Sequence, residues 1–367
     1  MGTEENLKSL PLEDLHKAAN ARFGGFAGWS MPITYPLGVM KEHLHTREKA
    51  GLFDISHMQL FDVAGPGVAA LLSRVCPLDA GSLPAGQSKY TFFLNEQAGI
   101  LDDLIITRLG EDHFMVVANA GNAAADEAHL REVAKGFDCK IDALDRVFLA
   151  IQGPLAADVL LAAGIPGTEL AFMHGFQPNP GWFMSRSGYT GEDGFEIGLP
   201  ADEARELVSA LLADERVAWV GLAARDSLRL EAGLCLHGHD ITPEIDPVEA
   251  GLTWAIAKPV REKAGFIGAK ALLAKIAKGP SRKRVGLKPD SRQPVRSDSI
   301  LVDTNGNAVG VVTSGGFGPS AGYPVAMGYV GKDLAPTGTQ VFADVRGNRI
   351  ALHVHPLPFT PHRYHKG

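Results

Sequence analysis

Asp102 and Asp103 stand side by side inside an apolar run, Gly99-Ile100-Leu101-Asp102-Asp103-Leu104-Ile105-Ile106, and no other feature restricts the fold of this chain as much. The surrounding aliphatic residues predict a strand, and successive side chains of a strand point to opposite faces. One carboxylate therefore faces an interior. Left unpaired there it costs on the order of several kcal/mol, so it needs an internal cation, a set of N–H donors or a bound ligand. Two readings stay open from the pattern: a structural acid held by a buried Arg, and a functional acid.

With 367 residues, 45% of them hydrophobic, the chain can bury two or three cores and is too long for one ordinary domain. Its 35 basic and 42 acidic residues give a net charge of −7, which argues against a general nucleic-acid binder, since that function needs clustered positive charge. Cys76, Cys139 and Cys235 are odd in number and lack a CxxC spacing. Neither a disulfide framework nor a structural zinc site is expected, and a reducing cytosol fits. Met1–Asn6 is acidic and has no apolar core, so neither a secretory signal nor a transit peptide is expected there, and Asn6 spoils a myristoylation signal. No apolar run approaches the ~18 residues of a membrane span. The expectation is a soluble, cytoplasmic protein without membrane or nucleic-acid partners.

A weak repeat organises the first two thirds. Phe61-Asp62-Val63-Ala64-Gly65-Pro66 leads into Val68–Leu72, and Leu149-Ala150-Ile151-Gln152-Gly153-Pro154 leads into Ala156–Leu160. Each reads as a strand, a Gly-Pro turn and a short helix, with Pro favoured where a helix begins. Strands at Tyr90–Leu94, Ile100–Arg108 and Phe114–Ala118 and a helix at 122–135 follow the first copy. Strands at Trp182–Ser187 and Phe195–Leu199 and a helix at 201–213 follow the second. This β-α-β-β-α order predicts two related antiparallel α+β units and not a doubly wound parallel sheet. Between Lys258 and Arg284 there are nine Lys/Arg and a single Glu, on a helical stretch that Gly279-Pro280-Ser281 stops. Beyond it, short strands flank Asn305-Gly306, a strong hairpin signal, so residues 280–367 read as a small all-β barrel or sandwich.

Gly65-Pro66-Gly67 imitates a dinucleotide loop but has Pro inside it and no parallel βαβ context. Gly315-Gly316-Phe317-Gly318 leads into a strand and makes no phosphate cradle. His43/His45, His237/His239 and His353/His355 have the spacing of one strand face, yet no Cys or carboxylate completes a ligand set, so no metal is expected. No nucleophile elbow or cysteine–histidine pair stands out. The Gly- and acid-rich segment Ser187–Glu196 reads as a hairpin loop with solvated acids, except that alternation turns Glu196 toward the interior. In the helix signal Gly221–Gly233, Arg225 and Arg229 share a face at i, i+4. A carboxylate and a guanidinium facing one cavity suit a heterocycle with donor and acceptor edges.

Phe26-Ala27-Gly28-Trp29-Ser30-Met31-Pro32, Gly51-Leu52-Phe53-Asp54-Ile55-Ser56-His57-Met58, the Asp102-Asp103 segment, Gly188-Tyr189-Thr190-Gly191-Glu192-Asp193-Gly194 and Ala224-Arg225-Asp226-Ser227-Leu228-Arg229-Leu230-Glu231-Ala232-Gly233 together resemble the aminomethyltransferases, or T-proteins, of the glycine cleavage system. The resemblance runs nearly end to end. It implies an α+β cloverleaf of three domains around a central folate site, with residues 1–279 as the folate-binding region of two interleaved α+β units and 280–367 as a C-terminal β-barrel. It further implies transfer of an aminomethyl carbon from the dihydrolipoyl arm of a lipoylated H-protein to tetrahydrofolate, with release of ammonia and without a metal. Carried over by motif, Asp103 is the catalytic carboxylate, Glu196 and Arg225 hold the pterin, and Tyr189, Met58, Tyr90 and Asn119 line the pocket. Tyr364 joins them from the C-terminal segment. The basic stretch 258–284 reads either as a solvated helix face or as a surface that attracts an acidic carrier or folate's glutamate tail.

Relatives on the same fold include folate-dependent demethylases and non-catalytic folate-binding proteins of iron–sulfur assembly. The Asp pair and the Arg-Leu-Glu-Ala-Gly run favour the aminomethyltransferase over the first. The second carries Lys-Gly-Cys-Tyr-x-Gly-Gln-Glu where this chain has Gly233-Leu234-Cys235-Leu236-His237-Gly238-His239-Asp240.

Overall fold

A computed structural model describes residues 7–345 and 347–367; the readings made on Met1–Asn6 lie outside them. A small three-stranded sheet (β1, Lys8–Ser9; β2, Arg22–Phe26; β3, Trp29–Thr34) with helix α1 (Glu13–Ala18) leads through α2 (Val39–Glu48) and β4 (Ala50–Asp54) into a duplicated unit. The first copy runs β5 (Gln59–Ala64), α3 (Val68–Val75), β6 (Ser88–Leu94), β7 (Ile100–Gly110), β8 (His113–Ala118), α4 (Ala123–Ala134) and β9 (Lys140–Leu144). The second runs β10 (Val147–Gln152), α5 (Ala156–Ala162), β11 (His174–Phe176), β12 (Phe183–Arg186), β13 (Gly194–Leu199), α6 (Ala201–Leu212) and β14 (Val217–Trp219).

The expected repeat is present, with one more strand at the end of each copy and β11 added to the second. β11 and β14 are three residues each, too short to show alternation, and β9, Lys-Ile-Asp-Ala-Leu, is a largely hydrated edge. At the turn that opens each copy, Gly65 and Gly153 share a φ of 132°, and the amides of Val68 and Ala156 close onto their carbonyls at 3.0 and 3.1 Å. Pro66 and Pro154 fill the second turn position, where a fixed φ is suitable. A side chain at either glycine meets backbone: a Cβ at Gly65 would lie 2.7 Å from the Asp138 carbonyl oxygen, and one at Gly153 would lie 2.2 Å from that of Lys49.

The first sheet has strand order β6-β7-β8-β5-β9 and the second β11-β12-β13-β10-β4-β14. The orders coincide except that β4 is wedged between β10 and β14. Outer faces are covered by helices: Leu71, Leu72, Val75 and Leu130 of α3 and α4 pack on Phe61, Val63, Leu104 and Ile106, while Val159, Leu160, Leu207 and Val208 of α5 and α6 pack on Leu149, Ile151, Phe195 and Ile197. The inner faces meet each other through Leu60, Met115, Val117, Phe148 and Phe183, together with Ala224 and Leu228. Each fully buried aromatic here stabilises by roughly 2–3 kcal/mol.

Those last two residues belong to α7 (Leu222–Glu231), whose polar residues tie the molecule together. Arg229 reaches Asp240 at 2.8 Å and Ser314 of the barrel at 2.9 Å. Glu231 is met by His43 and Arg47 of α2, by the amides of Ser320 and Ala321, and by Thr360 of the C-terminal segment. Helices α8 (Lys258–Lys263) and α9 (Ala269–Lys278) follow, and Gly279, at φ 75°, ends α9 as the sequence predicts. The closed barrel comprises β15 (Arg282–Pro289), β16 (Ile300–Val302), β17 (Ala308–Gly318), β18 (Tyr323–Gly331), β19 (Gln340–Val345) and β20 (Asn348–His355), in the order β15-β18-β17-β16-β19-β20. The Asn305-Gly306 turn joins β16 to β17.

Two expectations need correction. His43 and His45 lie on α2, not on a strand, so an i, i+2 spacing turns them apart: His43 bonds Ser227, Glu231 and Ser320, and His45 the carbonyls of Ala50 and Arg216. The acids of the 187–196 loop are not solvated either. Glu192 is 1% exposed and held by Arg47 at 3.0 Å, and Asp193 is bidentate to Arg186. No described helix is long and apolar enough to cross a membrane.

Candidate active site

Alternation along β7 sends the two acids to opposite sides of the first sheet. Asp102 joins Leu104 and Ile106 on the helix-covered face and is fully buried; its partners are N–H donors and not an Arg. Asp103 joins Ile105 on the face between the sheets and remains half-buried. Tyr90, two residues off register on β6, donates its hydroxyl to Asp103 Oδ2 at 2.9 Å. The β7–β8 register, extended past Ile105↔Val117, brings Asn119 opposite Asp103. From there its Nδ2 reaches Asp103 Oδ1 and Asp102 Oδ1, each at 2.9 Å. Burial, then the adjacent Asp102 charge, pushes the Asp103 carboxyl up to about 6, so it is ionised at neutral pH yet is a stronger base than an ordinary Asp.

Glu196 reaches the same space from the second sheet. It pairs across the ladder with Ala150, which belongs to the inner core, so it faces inward as alternation predicts. Ser187 donates to its Oε2 at 2.6 Å. Arg225 and Arg229 are both buried on one side of α7 but differ in occupation. Arg229 is saturated by Asp226, Asp240, Ser314 and the Leu234 carbonyl. Arg225 has its Nη1 buried without a partner; its guanidinium lies 5.0 Å from the centre of the Tyr189 ring, within electrostatic reach of Glu196. A buried guanidinium left open in this way is prepared for an acceptor from outside the chain. Tyr189 is fixed by donation to the Cys235 carbonyl, and its electrostatic neighbours include both Asp103 and Arg229.

The structure thus gathers Asp103, Tyr90, Asn119, Tyr189, Glu196 and Arg225 around the seam between the sheets. Met58 sits in the β4–β5 turn and packs against the inner core, as Ile105 does. Tyr364 stacks its ring on Phe172 at 3.9 Å and neighbours His362, Arg47 and Glu192, the last of these in the same loop as Tyr189. Three features escape sequence reasoning. Trp254, 66% exposed, stacks on Tyr90 at 5.8 Å. His57 is buried beside Arg225 with Nδ1 unpaired; burial and then that charge lower it to about 4. Asn122 and Asp126, placed at i, i+4 across the start of α4, close over Asp102; that spacing was the available signal. Among the described residues no group of three or more His, Cys, Asp or Glu is arranged to hold a metal ion.

The basic stretch 258–284 divides in two. Lys258 is exposed, whereas Arg284 turns inward to the carbonyls of Ala250 and Gly233 and Lys275 pairs with Asp246.

Comparison with known proteins agrees with this geometry. Residues 12–259 match the GCVT N-terminal domain, and residues 282–360 match the glycine cleavage T-protein C-terminal barrel domain. The mitochondrial aminomethyltransferase of Pisum sativum is 42% identical over 376 residues, covering 99% of this chain and 92% of its own length. That of Gallus gallus is 42% identical over 372 residues, covering 98% and 94%. The crystal structure of the glycine cleavage system aminomethyltransferase T from Bartonella henselae superposes with a TM-score of 0.97 at 63% identity, over 98% of this chain and all of that one. The chain belongs to the aminomethyltransferase (T-protein) family of the glycine cleavage system, a family of transferases.

Proposed function

We propose that this chain passes the aminomethyl carbon carried on the dihydrolipoyl arm of the glycine cleavage H-protein to tetrahydrofolate, releasing ammonia and yielding 5,10-methylenetetrahydrofolate. The observation that carries the reading is the seam itself: a half-open carboxylate of raised proton affinity on one side, and a carboxylate with an unpartnered buried guanidinium on the other, are joined by Tyr189, which has Asp103 as an electrostatic neighbour and Arg225 5.0 Å from its ring centre. A reduced pterin fits that donor set, because its amino and ring N–H groups suit Glu196 and its carbonyl suits Arg225 Nη1. Tetrahydrofolate, when bound, supplies the amines that take up the carbon.

The remaining work falls to the chain. Asp103, oriented by Tyr90 and Asn119 and ionised, first stabilises the positive charge that develops as ammonia departs; it then accepts the proton shed by the attacking amine, and the second C–N bond replaces the bond to sulfur, which leaves protonated as the dihydrolipoyl thiol. Glu196 is held by Ser187, and with Arg225 it fixes the heterocycle in the plane that Tyr189 bounds. The apolar inner core of Phe148, Phe183 and Met115 behind these residues excludes water, which strengthens each of these interactions. Exposed lysines of 258–284, Lys258 among them, form the cationic face proposed to meet an acidic carrier.

The test is tetrahydrofolate-dependent ammonia release from aminomethylated lipoyl carrier protein. Release that needs both tetrahydrofolate and the carrier is expected. Turnover of a methylated small molecule without the carrier would transfer the assignment to a demethylase.

A further inference from the structure

On the far side of β7 from Asp103 lies a buried acid pair to which the transfer reading gives no role. Asp102 takes hydrogen bonds from Asn119 N at 3.1 Å, Asn119 Nδ2 at 2.9 Å and Asn122 Nδ2 at 2.6 Å. A carboxyl group met by donors at both oxygens is bound as the ionised acceptor. Asp126, one turn beyond Asn122 on α4, is 2% exposed, and its Oδ2 has no partner. Two acids enclosed together cannot both ionise cheaply, and burial followed by the Asp102 charge pushes Asp126 up to about 10. Asp126 is therefore the neutral member.

The Asn119 amide that holds Asp102 also contacts Asp103 Oδ1. The other titratable groups facing Asp103 are Tyr90 from β6, Tyr189 from the 187–196 loop, and Cys235 and His237 from the segment after α7. His237 bonds the Ile100 carbonyl through Nε2 and the Asn122 amide through Nδ1, and its Nδ1 lies 3.9 Å from Asp102 Oδ1. The fixed charge in this group is that of Asp102.

We infer that Asp102 is a positioning residue for the transfer: fixed by Asn119 and Asn122 and enclosed by Asp126, it orients the Asn119 amide that it shares with Asp103 and places a constant negative charge across β7 from the acting carboxylate. The inference rests on the reading of Asp103 as the acting carboxylate.

The experiment is the pH profile of kcat/KM for ammonia release. The wild-type acid limb is expected near pH 6. Asp102→Asn removes the like charge and should move that limb to lower pH by about one unit. Asp126→Asn exchanges one neutral group for another and should leave the limb in place. An unmoved limb in folded Asp102→Asn, or an equal displacement in Asp126→Asn, overturns the inference. Should Asp102→Asn fail to fold, carboxyl ¹³C NMR of the wild-type chain decides: Asp126 keeps its acid form at pH 7, and an ionised Asp126 there overturns the inference. Asp103→Asn separates the two failures, because wild-type turnover in that variant refutes the role of Asp103 itself, whatever Asp102 does.

Discussion

The two copies of the α+β unit share strand order, helix placement and even the φ of the glycine at their opening turns, yet the carboxylates they contribute to the seam sit in different surroundings. The first copy presents Asp103 half-buried, with its proton affinity raised by burial and by Asp102. The second presents Glu196 buried, stitched to Ser187 and facing a guanidinium from α7. A base that must exchange protons is placed where substrate can reach it, whereas a group that only has to recognise a ligand is held rigid. Wedging β4 into the second sheet alone breaks the symmetry further, since the turn after β4 carries Ser56, His57 and Met58 to the seam.

This division of labour predicts unequal responses to neutralising the two acids. Asp103→Asn should preserve the fold and lower turnover by roughly 10²–10⁴-fold; near-native turnover in steady-state assays would erase the distinction between the copies. The shared turn provides a structural counterpart. Gly153→Ala and Gly65→Ala should both destabilise, by about 2–4 kcal/mol, and Gly153 by more, because its added Cβ would meet two backbone oxygens at 2.2 and 2.5 Å. Equal urea midpoints for the two variants would show that the copies tolerate strain alike.

Glu196→Gln should act on recognition, raising KM for tetrahydrofolate roughly tenfold, the scale of one hydrogen bond to a charged group, with a smaller change in kcat. A loss confined to kcat would place Glu196 in the chemistry and dissolve the contrast. The smallest effect concerns Asp126. Its folded-state value, about 10 against 3.8 for the free group, means that the native chain binds the extra proton between those limits, so this residue's contribution to stability falls as pH rises from about 4. Asp126→Asn removes that slope. Its melting temperature should equal or exceed the parent's at pH 8 and gain on it between pH 5 and pH 8, which thermal unfolding at several pH values would check.

Much of this was legible in the residues because alternation is a strict rule. It placed Asp102 and Asp103 on opposite faces, turned Glu196 inward and, with the Gly-Pro turns, exposed the duplication. What stayed hidden lacked a hydrophobic period. Helix α2 buries Glu42, His43, Thr46 and Arg47, an interior made of polar groups, so nothing in its pattern announces a helix. The acids of the 187–196 loop look solvated in sequence because their cations, Arg47 and Arg186, lie on other elements. Trp254 gives no signal at all: its stacking on Tyr90 depends on a loop path that only the folded chain defines.

Glu231 also fixes when folding can finish. The Thr360 hydroxyl bonds its carboxylate, and the amides of Phe359 and Thr360 donate to its carbonyl, so part of its hydrogen bonding is supplied from 129 positions further along the chain. Both sheets precede residues 359–360 in the chain, so the helix joining them gains its full set of partners only after that later segment has folded back against it.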